Sequence, residues 1–585
     1  MGHVEESVVG KYLESATALT DRYRRRRDPV DLDRALEYLE QALPHLGDSV
    51  VRTATAYCGI VANLAFRFQR RGDIADLDRA VVFGEEGLRR TGGGVPALHG
   101  NMSGLLRIRF SRTGNLTDLD RSIEHGQRAV ADGGPSVSPL SHATLAGSYL
   151  LRFRFSGRDE DLNEGVRHAF RSVELTAPGD DERMSALLVA AGACRLRFQR
   201  TGSLVDLDSA VAYQSEVADL LDDHHAEAGI ALTEIATTRL TRYRYLGSLR
   251  DVEAVMEFAG RALSSPDEQM RARALACQAQ ALQIRAEWQR CRDMEDAEAS
   301  ALSAVSLAKE ALAKTALEDP LRADRYQILA SSWTVVYSLT GSSEAAAGVE
   351  VNLAAAQRLL APDDSRVPFI AVGLAGHLVR LADGRLPEAI ASLRAVEAAA
   401  HPPDPLWTAT ARTLIAALVT AGLDGDRSAA DEVAGLLQML AEVRTMSSGE
   451  LVISALYAAE ALLDIGHPAA ADSYAAATGR LAAAAWHGLD RVSQEGQLSE
   501  FVGATSEFSG VATAAAAAQL EGANPARAVE LLEEGRGVLW SHLLRYRYSR
   551  TELLTHNPRI ANRLTEIAAV LDPSASSIPT LGGLS

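Results

Sequence analysis

The sequence predicts an all-α, tetratricopeptide-like solenoid of helical hairpins, and two observations carry that expectation. One motif returns seven times at a nearly constant spacing, and no strand-like alternation separates its copies. Aligned on the apolar residue that follows an Asp, the copies fall at Leu32, Leu77, Leu119, Leu162, Leu207, Val252 and Ala297, with intervals of 45, 42, 43, 45, 45 and 45 residues. A period in this range belongs to stacked helical repeats, each of which buries its apolar face only against its neighbours.

Each copy reads as helix, tight turn, helix. Five residues before the marker stands a glycine: Gly72, Gly114, Gly157, Gly202 or Gly247. Glycine closes a helix in the left-handed conformation without a Cβ penalty. The residue after it is Asp73, Asn115, Ser203 or Ser248, a good cap for the next helix, and Asp293 holds the same place in the last copy, whereas Arg158 breaks the rule. In the first copy Asp28 caps and Pro29 takes the first helical position. An acid follows three residues after the cap (Asp31, Asp76, Asp118, Asp161, Asp206, Asp251, Asp296), where it resembles a capping box and suits the helix dipole.

Arg67, Arg109, Arg152, Arg197 and Arg242 precede the glycines by five residues, each followed by an aromatic residue. The outer copies drift, with Arg22 and Tyr23 in the first and Glu287 and Trp288 in the last. Stacked in register, the five arginines would form a ladder able to bind an acidic peptide or a polyanion. The competing reading pairs each Arg with the Asp across its own turn. Joint residues in repeats usually serve the joint, which weighs towards pairing.

Beyond about residue 310 the period weakens while the helix-turn-helix grammar persists. Gly341, Gly384, Gly422 and Gly466 mark turns, and proline clusters at 361–364 and 401–405 separate helix pairs. The expected division is seven regular repeats over 1–310, degenerate repeats over 311–485, C-terminal helices over 486–571 and a flexible Ser/Pro/Gly tail over 572–585.

A formal charge of -18 argues against a nucleic-acid or anionic-membrane surface as the main partner, and the Arg24 to Arg27 run reads as a solvated helix end. The three lysines, Lys11, Lys309 and Lys314, stand in no Gly-Lys-Ser/Thr context, so no Walker A loop is present. Cys58, Cys194, Cys277 and Cys291 lack metal-ligand spacing and read as small buried residues of a reducing compartment. His224-His225 has no Glu at zincin spacing. The N-terminal stretch has no basic region followed by an apolar one, which leads to the expectation of a cytoplasmic protein. No cofactor, metal site or catalytic residue is expected.

One segment carries a resemblance. His487-Gly488-Leu489-Asp490-Arg491, Gln497-Leu498-Ser499-Glu500 and Ala526 to Ser541, with Glu533-Glu534-Gly535-Arg536-Gly537 and Trp540 at its centre, resemble the junction that precedes the caspase-like CHAT domain in bacterial, especially actinobacterial, TPR-CHAT proteins. In that family a His/Cys peptidase follows the junction; none follows it within these 585 residues. The resemblance implies a regulatory, partner-sensing arm whose effector is missing, split off or encoded separately, with a protein or peptide, or the CHAT peptidase itself, as partner. The alternative is a free-standing adaptor that assembles a complex or a homo-oligomer. The spacing of residues does not assign an oligomeric state.

Overall fold

The computed structural model describes residues 2–484, apart from positions 27, 135–136, 181, 222–227, 292–293, 363, 383, 424–425 and 444–445, together with 511–536 and residue 563. The architecture over those residues is a tetratricopeptide-like solenoid of antiparallel helix pairs. The regular half comprises α1 (Gly2–Arg26) with α2 (Pro29–Ala42), α3 (Val50–Arg71) with α4 (Ile74–Arg90), α5 (Pro96–Thr113) with α6 (Leu116–Gly133), and α7 (Pro139–Ser156) with α8 (Asp159–Glu174). It continues through α9 (Arg183–Thr201) with α10 (Leu204–Leu220), α11 (Ala228–Leu246) with α12 (Leu249–Ala262), and α13 (Glu268–Arg290) with α14 (Ala297–Ala313).

The same grammar runs on through α15 (Arg322–Thr340) with α16 (Ser343–Arg358), α17 (Val367–Leu381) with α18 (Leu386–Ala399), α19 (Pro405–Ala421) with α20 (Arg427–Glu442), and α21 (Ser448–Asp464) with α22 (Ala469–Ala484). Two further helices, α23 (Val511–Glu521) and α24 (Pro525–Arg536), pack against each other and against α22. The stretch around His487, Gly537, Trp540, the expected helix near 557–571 and the tail lie outside the described residues.

The turns follow from the glycines. Gly114 closes α5 at φ 69, ψ 8, and its amide donates to the Phe110 carbonyl at 2.8 Å. Gly72, Gly157, Gly202, Gly247 and Gly341 repeat this conformation, which only glycine adopts without strain. Gly384 differs, because Ala382 takes the left-handed position in its turn. In the seventh copy no such glycine exists, and α13 ends at Cys291 in a right-handed conformation.

Asp28, Asp73 and Asn115 cap as expected, each accepting from the amide two residues on, whereas Ser203 and Ser248 make no side-chain cap bond. The acid three residues after the cap is a correction to the capping-box reading. Asp31, Asp76, Asp118, Asp161, Asp206 and Asp251 are buried, and arginines hold their carboxylates. A true capping box occurs at Ser447–Glu450, where the longer Glu side chain reaches back to the cap.

The markers Leu32, Leu77, Leu119 and Leu207 have no exposed surface, and Phe68, Phe110 and Phe198 are buried beside them. Glycines let helices approach closely where the core is tight: a Cβ on Gly87 would stand 2.6 Å from the Tyr57 Cβ. The array also touches itself across long stretches of sequence. Arg112 pairs with Asp267 at 3.0 Å, Arg200 with Asp404 at 2.6 Å, and the Arg366 guanidinium lies 4.7 Å from the Phe155 ring centroid. Early hairpins therefore contact the connections of much later ones, which narrows the inner face.

Candidate protein-binding site

The arginine ladder is engaged rather than free. Arg67, Arg109, Arg152, Arg197 and Arg242 each bond the Asp across their own turn: Nε to carboxylate distances are 2.9 Å to Asp76, 2.7 Å to Asp118, 2.9 Å to Asp161, 2.9 Å to Asp206 and 2.7 Å to Asp251. In the first four, Nη2 makes the second arm of a bidentate pair with the same Asp, and Arg22 holds Asp31 in the same way. The ladder side chains retain only 15%, 17%, 23%, 33% and 26% exposure in chain order, which leaves little guanidinium surface for a ligand.

The pairing explains why the motif is Asp-Leu-Asp. The first Asp meets its own Arg, the Leu enters the core, and the second Asp reaches the Arg of the following repeat: Asp33 to Arg67 at 3.3 Å, Asp78 to Arg109 at 3.1 Å and Asp120 to Arg152 at 2.9 Å. Where the third residue is Asn163, Arg197 has no such cross-repeat partner among the described residues, and Arg242 likewise bonds only Asp251 of its own hairpin although Asp208 stands in the preceding repeat. Where the Arg is replaced by Glu287, the corresponding Asp296 is exposed. These residues join repeats, and the sequence pattern had exposed only the first half of the arrangement.

A second set of arginines faces the inner side. A groove of about 560 Å³ runs along α11, α13, α15, α16, α17, α19 and α21, lined by Tyr243, Arg244, Tyr245, Ile284, Glu287, Val335, Leu353, Arg380, Arg412, Glu450 and Ile453. Arg244 Nη2 donates to Gln280 Oε1 at 2.8 Å, Arg380 Nη1 to the Gly376 carbonyl at 3.0 Å, and Arg412 to Glu450. Glu287 has no side-chain partner among the described residues. Its side chain is exposed to the groove, and desolvation by the surrounding walls pushes its carboxyl up, opposed by Arg290, Arg380 and Arg244. Such a surface combines aromatic and aliphatic contact area with charges of both signs, the composition that recognises a peptide segment. No periodic signal marks these residues, because each hairpin contributes a different type.

A further opening of about 660 Å³ lies where early and late hairpins meet, with Arg71, Arg112 and Lys314 opposite Asp267, Glu268 and Glu318. Of the junction residues, Glu533 and Glu534 are exposed on α24, Gly535 packs against Ala512 of α23, and Arg536 ends the helix. Burial pushes the thiols of Cys58 and Cys194 up to about 11 and raises Cys277, the opposite of what a nucleophile needs. Among the described residues no helix is long and apolar enough to cross a membrane.

No family model and no curated protein sequence matches this chain. Among solved structures it is similar to yeast Tom70 (15% identity over 87% of this chain and 96% of that one, TM-score 0.31). It is also similar to the APC/C hetero-tetramer Cut9-Hcn1 (14% identity, 96% and 93% covered, TM-score 0.39) and to a monomeric IFIT1 mutant (12% identity, 83% and 90% covered, TM-score 0.35). No function is carried over from any of them.

Proposed function

We propose that this chain is a non-catalytic scaffold that recognises a partner protein through the inner-face groove. The observation that carries the reading is the groove itself. Seven helices from six consecutive hairpins build it, it is lined by tyrosines and branched aliphatic side chains, and the Glu287 side chain stands there beside Arg380 with no hydrogen bond to any described residue. The ladder arginines support it indirectly, since they hold the hairpins in register and leave recognition to the inner face.

The resemblance at Glu533 to Trp540 supports a caspase-like CHAT peptidase as the partner and the chain as its regulatory arm, in the cytoplasm of a bacterium. Affinity capture of the tagged chain from its native cytosol, with identification by mass spectrometry, tests this. Recovery of a caspase-like peptidase, lost on Arg380→Glu together with Arg412→Glu, supports the reading. Recovery of the chain's own copies alone favours the adaptor that assembles a homo-oligomer.

A further inference from the structure

A different cluster on the inner face carries more positive charge than its neighbours neutralise. Arg325 of α15 is only 8% exposed, yet its side chain makes no hydrogen bond, ion pair or ring contact with any described residue, and its Nε is orphaned. Arg195 of α9 is equally buried, and its Nε is orphaned as well, its sole side-chain bond among the described residues being Nη2 to Glu234 at 3.2 Å. Glu234 of α11 also accepts from Arg273 of α13 at 2.5 Å. Arg154 of α7 approaches Oδ2 of Asp324 on α15 only to 3.8 Å, while Arg366 holds Oδ1 of the same carboxylate at 2.9 Å.

Four guanidiniums thus share Glu234 and Asp324, while Arg366 brings its own partner, Asp364, at 2.8 Å. Asp319 is also among the charges around Arg325, and it is itself bonded by Gln269. The surplus is one to two positive charges. A buried guanidinium without a counter-ion is strongly disfavoured, so the arrangement calls for a further anion.

We propose that Arg154, Arg195, Arg273 and Arg325 hold one small monovalent anion, a halide or a compact carboxylate, as part of the folded array. The size of the surplus selects a monoanion, since Glu234 and Asp324 would repel a phosphate dianion or an acidic polymer. Burial of Arg195 and Arg325 leaves no room for an extended chain, while Arg154, whose side chain is 40% exposed, gives the ion its entry. The inference stands apart from the groove: its residues are different, and it needs no partner protein.

The test is chloride binding to the full chain, followed by ³⁵Cl line broadening in a chloride-poor buffer held at constant ionic strength. Saturable broadening in the wild type, lost in Arg325→Met and in Arg195→Met, is the expected result. Competition by acetate places a compact carboxylate in the same site. Competition only by a glutamate-rich peptide overturns the small-ion assignment, and so does broadening that is linear in chloride or unchanged in both variants. Thermal unfolding supplies an independent reading. Arg325→Met removes the uncompensated charge, so its midpoint should exceed that of the wild type without chloride, and the gap should close as chloride rises. A variant less stable than the wild type at every chloride concentration contradicts the proposal. Crystals of the wild type soaked in bromide give a reading independent of any variant: an anomalous peak beside Arg325 and Arg273 is expected, and its absence overturns the site.

Discussion

Removing one arginine of the ladder should damage the array more than removing the aspartate it holds. Asp118 keeps 3% of its side-chain surface and Arg109 keeps 17%. Arg109→Met strands a carboxylate inside the joint between α5 and α6. Breaking a buried pair by deleting one partner costs about 3–5 kcal/mol, and water reaching the edge of this joint reduces the expected loss to about 2–3 kcal/mol. Asp118→Leu strands a guanidinium that still has Asp78 at 3.1 Å, so its cost should be about 1–2 kcal/mol. The double variant replaces both charges by apolar groups and should return to within about 1 kcal/mol of the wild type. Because a solenoid distributes its stability among neighbouring repeats, native-state hydrogen exchange on α5 and α6 is the assay, with denaturant midpoints beside it. The reasoning fails if Arg109→Met lies within about 0.5 kcal/mol of the wild type, or if the double variant is as damaged as the single.

Other expectations follow from neighbouring details. Asn163→Asp restores the missing Asp-Leu-Asp residue beside Arg197 and should stabilise by about 0.5 kcal/mol in low salt, an effect that added salt removes. Two equivalent histidine pairs, His99–His125 and His142–His168, each meet through Nδ1 atoms 2.8 Å apart. His99 Nε2 faces the Gly93 carbonyl and must carry a proton, so His125 Nδ1 donates to His99. Arg167 donates to His168 Nε2, so His168 Nδ1 donates to His142. Desolvation, then His99, Arg121 and Arg128, against Glu85, lower His125 to about 4. Desolvation, then Arg167 and His142, against Glu164, lower His168 to about 4. A depressed folded-state value means the unfolded chain takes up the protons first. Stability present above about pH 6.5 should therefore fall between pH 6.5 and 4, by roughly 1 kcal/mol per pH unit for each histidine. The preceding repeat places Tyr57 and Phe83 at these positions, so His99→Tyr with His125→Phe should flatten that pair's share of the pH profile, measured by urea midpoints. Gly535→Ala puts a Cβ 2.1 Å from that of Ala512, and a loss of about 1–3 kcal/mol confined to α23 and α24 should appear in hydrogen exchange.

The hairpin grammar was legible because its causes are local. A glycine at φ near +69, a cap residue and a marker leucine each act within one turn of chain, so their spacing survives in the sequence. The Arg–Asp pair was legible as one of two alternatives, because its partners lie nine residues apart in every copy. The cross-repeat half was not, since Asp78 and Arg109 meet only when hairpins stack. The inner groove and the Arg325 cluster left no trace for a similar reason. Arg195, Glu234 and Arg273 recur 39 residues apart on α9, α11 and α13, an interval different from that of the marker residues, and Arg325 of α15 falls outside it, so the cluster comes together only through the winding of the array. Glu287 shows both effects at once: the sequence marks it as a broken ladder position, and the fold places it in the groove wall.

We assign recognition to the groove and architecture to the ladder. Capture from native cytosol with three baits, the wild type, Arg380→Glu with Arg412→Glu, and Arg109→Met, tests it most directly. A partner protein should be recovered by the wild type and by Arg109→Met and lost from the groove variant, with the groove variant folded by circular dichroism. A partner retained by the groove variant and lost with Arg109→Met would contradict it.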